Sequence, residues 1–339
     1  MNSRRFTFIG IWMLVLTAVL GSCGMMDDEG PDCTTHRRIR FTYDWNMLFA
    51  DAFPHEVKTL TLYAFTTDGR LAYSQTVNAD SVIAQGYMNA DGMLAGRYRF
   101  LVWAQGEQRH ADTYSFGTAA IGDTNDVLTV RLNRAATADV DHDITPLYYG
   151  TLDNVDFTDL PRGGIREATV NLMKDTELFR IVLQNQSGQT LDPGEFCFTI
   201  TDNNGFLAAD NSLLADDTLT YHAWSVTNGT AGISDTTATG TVTAASAVVA
   251  EITTNRLVAG RNMRLHVTRR SDGHRIIDLP LIDLGLLVKG NYHRAMSDQE
   301  YLDRQDTWNY IFFLDNDRNW LAASIYVQQW RIVLQDADL

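Results

Sequence analysis

The sequence predicts an all-β protein folded as two tandem β-sandwich domains with Greek-key links. Three observations carry this. Short runs rich in β-branched and aromatic residues recur along the chain, as in Thr59–Thr66 (TLTLYAFT) and residues 98–104 (YRFLVWA). Clusters of Gly, Asn and Asp separate the runs at turn spacing. Long amphipathic helices do not alternate with the runs, which argues against a βαβ architecture. Length and composition agree: 339 residues suit two domains, and a hydrophobic content of 45% is enough for packed cores. The net charge of −15 argues against a nucleic-acid partner, whose phosphates call for a basic surface.

The first element is a leader. Arg4 and Arg5 precede residues 6–20, which are apolar and uncharged. That run is short of the roughly 20 residues a membrane span needs, so residues 1–22 read as a cleaved signal peptide. The tetrapeptide Leu20-Gly21-Ser22-Cys23 resembles the bacterial lipobox. The resemblance implies cleavage between Ser22 and Cys23 and acyl chains on Cys23, whose thiol is the nucleophile that takes the lipid. Residues 23–36 contain Gly, Pro, Asp and Thr without periodicity and read as a tether. Within it, Asp27-Asp28-Glu29 resembles the surface-export signal of Bacteroidales lipoproteins, with a solvated linker as the alternative. Cys33 and Cys197 could pair in an oxidising envelope; the favoured reading is that Cys197 is simply buried in its apolar run.

The strands follow in order. Residues 38–43 (RIRFTY) form the first, and Thr59–Thr66 leads into a hairpin at Asp68-Gly69, where both turn residues tolerate φ > 0. A short helix is expected over residues 81–87, then the strand at 98–104. Pro161, Gly163 and Gly164 place a boundary there, giving an N-terminal sandwich over 37–162 and a C-terminal one over 163–339. The second opens with strands at 168–172, 178–183 and 196–201, the last ending at Asn203-Asn204-Gly205. Residues 227–247, rich in Thr, Ala, Gly and Ser, read as a mobile loop or a weakly specified edge strand. Strands at 263–268, 310–314 and 324–327 complete the pattern. Ser297 with Glu300 is a capping-box signature for a helix over 297–302.

No catalytic, cofactor or metal site is expected, and the protein reads as a non-enzyme. There is no G-x-S-x-G, H-E-x-x-H or G-x-x-x-x-G-K-[ST] motif, and the eight histidines are scattered singly. Asp139, Asp141 and Asp143 could hold Ca²⁺ through alternating carboxylates, but the glycine and terminal Glu of an EF-hand are missing, so a solvated acidic loop is preferred. Asp315-Asn316-Asp317 reads as a strand-to-strand turn.

Several segments together resemble the FimB-type fimbrial anchor family of Bacteroidales, to which the minor-fimbria anchoring subunit belongs. They are Arg40-Phe41-Thr42-Tyr43-Asp44 with Asn46; Leu62-Tyr63-Ala64-Phe65; Gly96 to Trp103 (GRYRFLVW); Pro146-Leu147-Tyr148-Tyr149-Gly150; Val170 to Thr176 (VNLMKDT); Glu300 to Asp306 (EYLDRQD) with Ile311 to Asp315 (IFFLD); and Trp320 with Ile325 and Trp330. The resemblance implies two transthyretin-like sandwiches behind a lipoprotein signal. It also implies a surface-exposed, lipid-anchored place in the outer membrane at the fimbrium base, with fimbrial shaft subunits as partners. The alternative is a surface glycan-binding lipoprotein or a fimbrial tip adhesin, which exposed Trp and Tyr on one face would favour.

Fibres of this superfamily resemble strand-exchange polymers, in which ladder bonds supply affinity and alternate side chains fill pockets. An anchor should keep its first strand and end the fibre by donating another. The candidate donor spans residues 325–334, where Trp330, Ile332 and Leu334 share one face at a period of two; an ordinary last strand of the second sandwich is the favoured reading for at least part of it, and the two coexist if only the end is mobile. Arg37, Arg38 and Arg40 could be cut by an arginine-specific protease, or could merely solvate an edge strand.

Overall fold

The computed structural model describes residues 34–185, 187–233, 243–290, 293–327 and 330–335. The signal segment, Ser22, Cys23 and the tether through Cys33 lie outside the described residues. In chain order the first strands are β1 (Thr35–Thr42), β2 (Thr59–Thr66), β3 (Leu71–Asn78), β4 (Met88–Asn89), β5 (Arg97–Gln105), β6 (Tyr114–Phe116), β7 (Val130–Leu132), β8 (Asp139–Val140), β9 (Leu147–Asp156) and β10 (Gly164–Lys174). They are followed by β11 (Thr176–Asn185), β12 (Phe196–Asp202), β13 (Phe206–Leu207), β14 (Leu219–His222), β15 (Ser225–Ile233), β16 (Thr243–Asn255), β17 (Arg264–Arg269), β18 (Arg275–Pro280), β19 (Thr307–Leu314), β20 (Trp320–Val327) and β21 (Trp330–Gln335). Four short helices accompany them: α1 (Phe53–Glu56), α2 (Ala79–Gln85), α3 (Leu281–Lys289) and α4 (Asp298–Arg304). The fold is all-β in class, as the alternating runs require. No helix among the described residues is long and apolar enough to cross a membrane.

The strands form a seven-stranded sheet in the order β3-β2-β5-β9-β10-β1-β4 and a six-stranded sheet in the order β15-β16-β11-β19-β20-β21. A five-stranded sheet β18-β17-β12-β14-β8 and a small sheet β13-β7-β6 complete the molecule. Strand β5 shows why residues 98–104 are apolar without interruption. Phe100, Val102 and Ala104 belong to one core with Ile39, Leu62 and Val170. Leu101 and Trp103, on the alternate positions, belong to a larger core with Phe179, Phe198 and Trp308. A strand covered on both faces has no polar side to display.

Sheet membership does not change at the expected boundary after residue 162. Strand β10 pairs in parallel with β1 over residues 164–171, then its last three residues pair antiparallel with β9. The turn residues near Pro161 therefore connect two strands of one sheet, and the chain crosses to the second sheet at Asp175. The first half also reaches across: β8 pairs with β14 and β7 with β13. Gly150 permits the close approach of β9 and β10, since a Cβ there would lie 2.6 Å from Leu172 Cδ2 and 2.9 Å from Val170 Cγ1.

Other elements differ in detail from expectation. Strand β1 begins at Thr35, so the last two residues assigned to the tether are already in the sheet. The Asp68-Gly69 hairpin joins β2 to β3, with Gly69 at φ +79°. Helix α2 starts after Asn78, whose side chain accepts from the Asp80 amide, rather than at Ser81. Helix α4 is capped by Ser297, which accepts from the Glu300 amide at 3.0 Å. Helix α3 was not anticipated, because LIDLGLLVK reads equally as a buried strand. It lays Leu281, Ile282, Leu284 and Val288 on the larger core, and a Cβ at Gly285 would come within 2.9 Å of the Trp308 ring. Strand β15 is an edge strand, the second of the two readings of that Thr-rich region; residues 234–242 lie outside the described residues. Cys197 is half-buried rather than buried, because β12 alternates and gives its core positions to Phe196 and Phe198. Residues 315–317 form the turn between β19 and β20, as expected.

Candidate functional site

The segments that carried the family resemblance assemble side by side. Strand β2 pairs Leu62 with Val102 of β5, β5 pairs Trp103 with Tyr149 of β9, β9 pairs Gly150 with Leu172 of β10, and β10 pairs Val170 with Phe41 of β1. Five scattered motifs are thus neighbouring strands of one sheet. At the end of β1, Asn171 contacts Asp44, which joins the first motif to the fifth.

The Glu300–Asp306 segment fastens this sheet to the second half. The Arg304 guanidinium lies 3.9 Å from the centroid of the Trp45 ring and 4.7 Å from that of Phe49. It also donates to the Asp44 carbonyl at 3.2 Å and to Glu300 at 2.9 Å. Met47, from the same loop, packs against the larger core. Behind this contact runs a seam of buried charge. Arg256 donates to Asp303 at 2.6 Å and lies 3.7 Å from Asp175. Asp175 also accepts from Asn211 at 2.9 Å. Burial pushes the Asp175 carboxyl up to about 7, against the pull of Arg256 and Asn211. Burial likewise raises Glu177, which accepts from the Trp308 indole at 3.0 Å. Burial opposes the charge on Lys174, but Asp306 at 2.8 Å and Glu56 at 3.1 Å outweigh it and hold that ammonium above its usual value. Lys174, Asp175 and Asp303 sat within quoted motifs without a role. Arg256 was missed, although the polar run Thr253 to Arg256 after an apolar strand was a legible signal.

The two ends of the described chain are held differently. Strand β1 lies between β10 and β4, with Ile39 fully buried. The two-residue β4 covers its outer side only at Arg38 and Ile39, so Arg40 still stands on an open stretch of edge. Arg37 is buried; its Nε donates to the Phe157 carbonyl at 3.1 Å and its Nη2 to Asp159 at 2.5 Å. Its amide donates to Asp91 at 2.6 Å. Arg38 stacks over Tyr87 and Arg40 pairs with Glu167. Strand β21 has one ladder, to β20, with Trp330 opposite Val327, Ile332 opposite Ile325 and Leu334 opposite Ala323.

The acidic loop disperses its carboxylates. Asp139 pairs with His222 at 2.7 Å, Asp141 lies 3.5 Å from His142, and Asp143 accepts from Thr253 at 2.7 Å. Among the residues whose burial is described, no tryptophan or tyrosine is exposed.

Comparison with known proteins follows these contacts closely. No curated protein matches the chain. Among solved structures, a Bacteroides thetaiotaomicron protein provisionally described as an adhesin is 29% identical, with a TM-score of 0.75 over 91% of this chain and 100% of its own. Another from the same organism, provisionally described as polysaccharide-binding, is 29% identical, with a TM-score of 0.73 over 90% and 100%. The fimbrial anchor protein Mfa2 from Porphyromonas gingivalis shares the fold, at 19% identity and a TM-score of 0.62 over 89% and 100%. The sequence matches the family of fimbrillin-A associated anchor proteins Mfa1 and Mfa2 over residues 29–336, so the chain belongs to that family of fimbrial anchors.

Proposed function

We propose that the protein anchors and terminates a fimbria at the outer membrane, held there by acyl chains on Cys23, and contacts shaft subunits by strand exchange. The interior position of β1 supports this most directly. A strand that buries Ile39, between β10 and β4, and Phe41, beside β10, contributes roughly 1.5–3 kcal/mol per side chain. Its arginines are held in the ladder, where an extended protease substrate cannot form. The first sheet then keeps its own strand and has no groove to offer. Among the described residues β21 is one of the sheet edges, and it donates to a neighbouring subunit through main-chain bonds and the alternate residues Trp330, Ile332 and Leu334.

Two variants test the parts separately. Replacing Cys23 by Ala abolishes incorporation of labelled palmitate and releases fimbriae into the medium; undiminished labelling refutes the lipid anchor. Deleting residues 331–339 leaves the lipid in place and sheds fibres; normal attachment refutes donation.

The second reading is a glycan-binding lipoprotein or tip adhesin. The descriptions of the two B. thetaiotaomicron relatives favour it. So does an open cleft of about 710 Å³ that displays Arg97, Arg99, Asp153, Asn154 and Asp156. The lack of exposed Trp or Tyr among the residues whose burial is described weighs against a sugar-stacking platform. Glycan-array binding by the ectodomain that is lost in Asp153→Ala would favour this reading over anchoring.

A further inference from the structure

We propose that the loop over residues 44–52 is a prebuilt docking surface for another fimbrial subunit. It would take an apolar side chain against Leu48 and Phe49 and an adjoining lysine or arginine in the acidic cleft beneath. The proposal rests on the anchoring reading for the identity of the partner alone, since the chemistry is read from the loop.

The loop is rigid and strained while displaying apolar surface. Leu48 is 80% exposed and Phe49 59%. One exposed leucine is ordinary, but two adjacent large apolar residues at a loop tip are a patch. Phe49 has φ +51°, a left-handed conformation that a bulky residue adopts only when its surroundings enforce it. Here they do. The Asn46 side chain donates to the Tyr43 and Ala50 carbonyls, both at 2.8 Å, and accepts from the Leu48 amide at 3.0 Å. The Phe49 amide donates to the Asn46 carbonyl at 3.2 Å, and Arg304 supports the Phe49 ring from one side. A loop built only to connect β1 to α1 has no need of this. A surface held ready for a partner does, because preorganisation removes the ordering cost at binding.

Charge complementarity identifies what enters beside it. A cleft of about 260 Å³ opens next to Met47 and Leu48 and is lined by Tyr43, Glu56, Gln305 and Asp306. The Glu56 and Asp306 carboxylates share one ammonium, that of Lys174; Glu56 also accepts from the Tyr148 hydroxyl at 2.9 Å and Asp306 from Thr307 at 3.2 Å, while Arg304, which lines the cleft as well, is engaged by Glu300. Gln305 is 5% exposed, and its Oε1 has no hydrogen-bond partner. What these donors leave open is acceptor capacity, on the two carboxylates and at Gln305 Oε1. A cationic side chain of the incoming subunit supplies donors for it.

The test places a benzoyl-phenylalanine photocrosslinker at position 48 of the full-length protein on fimbriated cells. The expected adduct is with a fimbrial subunit, at a peptide carrying Lys or Arg beside an apolar residue. Adducts to lipid alone, to a second copy of this chain, or to no fimbrial subunit overturn the proposal. Leu48→Ser and Phe49→Gly should each lower retention of fimbriae at least tenfold without lowering the melting temperature, since glycine adopts φ +51° freely. Retention at the wild-type level overturns it as well. Repeating the crosslink in the 331–339 deletion separates the hypotheses. Fibres still attached, with the adduct present, would remove strand donation and leave this surface standing. Fibres shed from the deletion while the adduct is missing from the intact chain would do the reverse.

Discussion

Strands β1 and β21 stand at opposite ends of the described chain, and the fold treats them oppositely. Strand β1 is paired along its length by β10 and at Arg38 and Ile39 by β4, buries Ile39 and Phe41, and fixes Arg37 through its amide and its guanidinium. Strand β21 has one neighbour. A strand with two ladders and core side chains opens only with its sheet, whereas an edge strand can open alone. The difference places a strand held along most of its length and a strand at a sheet edge in one fold.

The comparison breaks first at Ile39. Replacing it by Asp puts a carboxylate into a fully buried position without a partner, which costs on the order of 4–5 kcal/mol or more. Thermal unfolding should move down by roughly 8–20 °C, at about 2–4 °C per kcal/mol for domains of this size. A drop no larger than that caused by losing β21 would show that the two strands are held alike.

A second lever is the buried crossing at Asp175, through which both sheets are joined. Its carboxyl titrates near 3.9 in the unfolded chain and at about 7 in the folded one. Between those values the folded state keeps a proton that the unfolded state releases, so stability is full below about pH 4 and falls as pH rises through 7. The span amounts to at most roughly 4 kcal/mol. Asp175→Asn should make the fall in melting temperature between pH 5 and 8 shallower, with Glu177 retaining part of the slope. A single unfolding midpoint across that range would show that the sheets holding β1 and β21 melt together; two would show that they do not.

The sequence disclosed the elements better than their arrangement. Runs such as 98–104 and Phe196–Asp202 announce strands because pleat and burial act within a few residues. Asp68-Gly69 and Ser297 with Glu300 announce a turn and a cap for the same local reason. The crossing at Asp175 was not legible, because Gly163 and Gly164 give the same turn chemistry whether the next strand joins the old sheet or starts a new one. Helix α3 was missed since a short apolar run fits either period. The docking of Arg304 on Trp45 was hidden by a separation of 259 positions in the chain, although Arg304 lay within a quoted motif and Trp45 between the quoted Asp44 and Asn46. The interior place of β1 was hidden too: three arginines in RRIR suggest exposure, yet the Asp159 and Phe157 acceptors that bury Arg37 come from the far end of β9 and beyond.

Arg37 sharpens the comparison further. Arg37→Ala withdraws a charge-assisted pair with the exposed Asp159 carboxylate and leaves the Phe157 carbonyl without that donor, at a cost of about 1–2 kcal/mol. In the unmodified protein, an arginine-specific protease should cut at Arg331 of β21 well before Arg38 of β1, read from the masses of the products over time. In Arg37→Ala the order should narrow. Equal rates in the unmodified protein would mean that β1 opens as readily as the edge.

The smallest effect is expected where the functional one is largest. Removing residues 331–339 strips most of β21 and leaves β20 as the new edge of the second sheet. The core residues Tyr310, Phe312 and Leu314 of β19 stay covered by β20 and β11. An edge ladder that opens independently contributes little to global stability, so the loss should stay below about 1 kcal/mol and the melting temperature should shift by less than about 4 °C. The same truncation should detach fimbriae from cells. If stability instead fell as far as in Ile39→Asp, β21 would be a structural strand like β1, and the exchangeable end would have to be sought elsewhere.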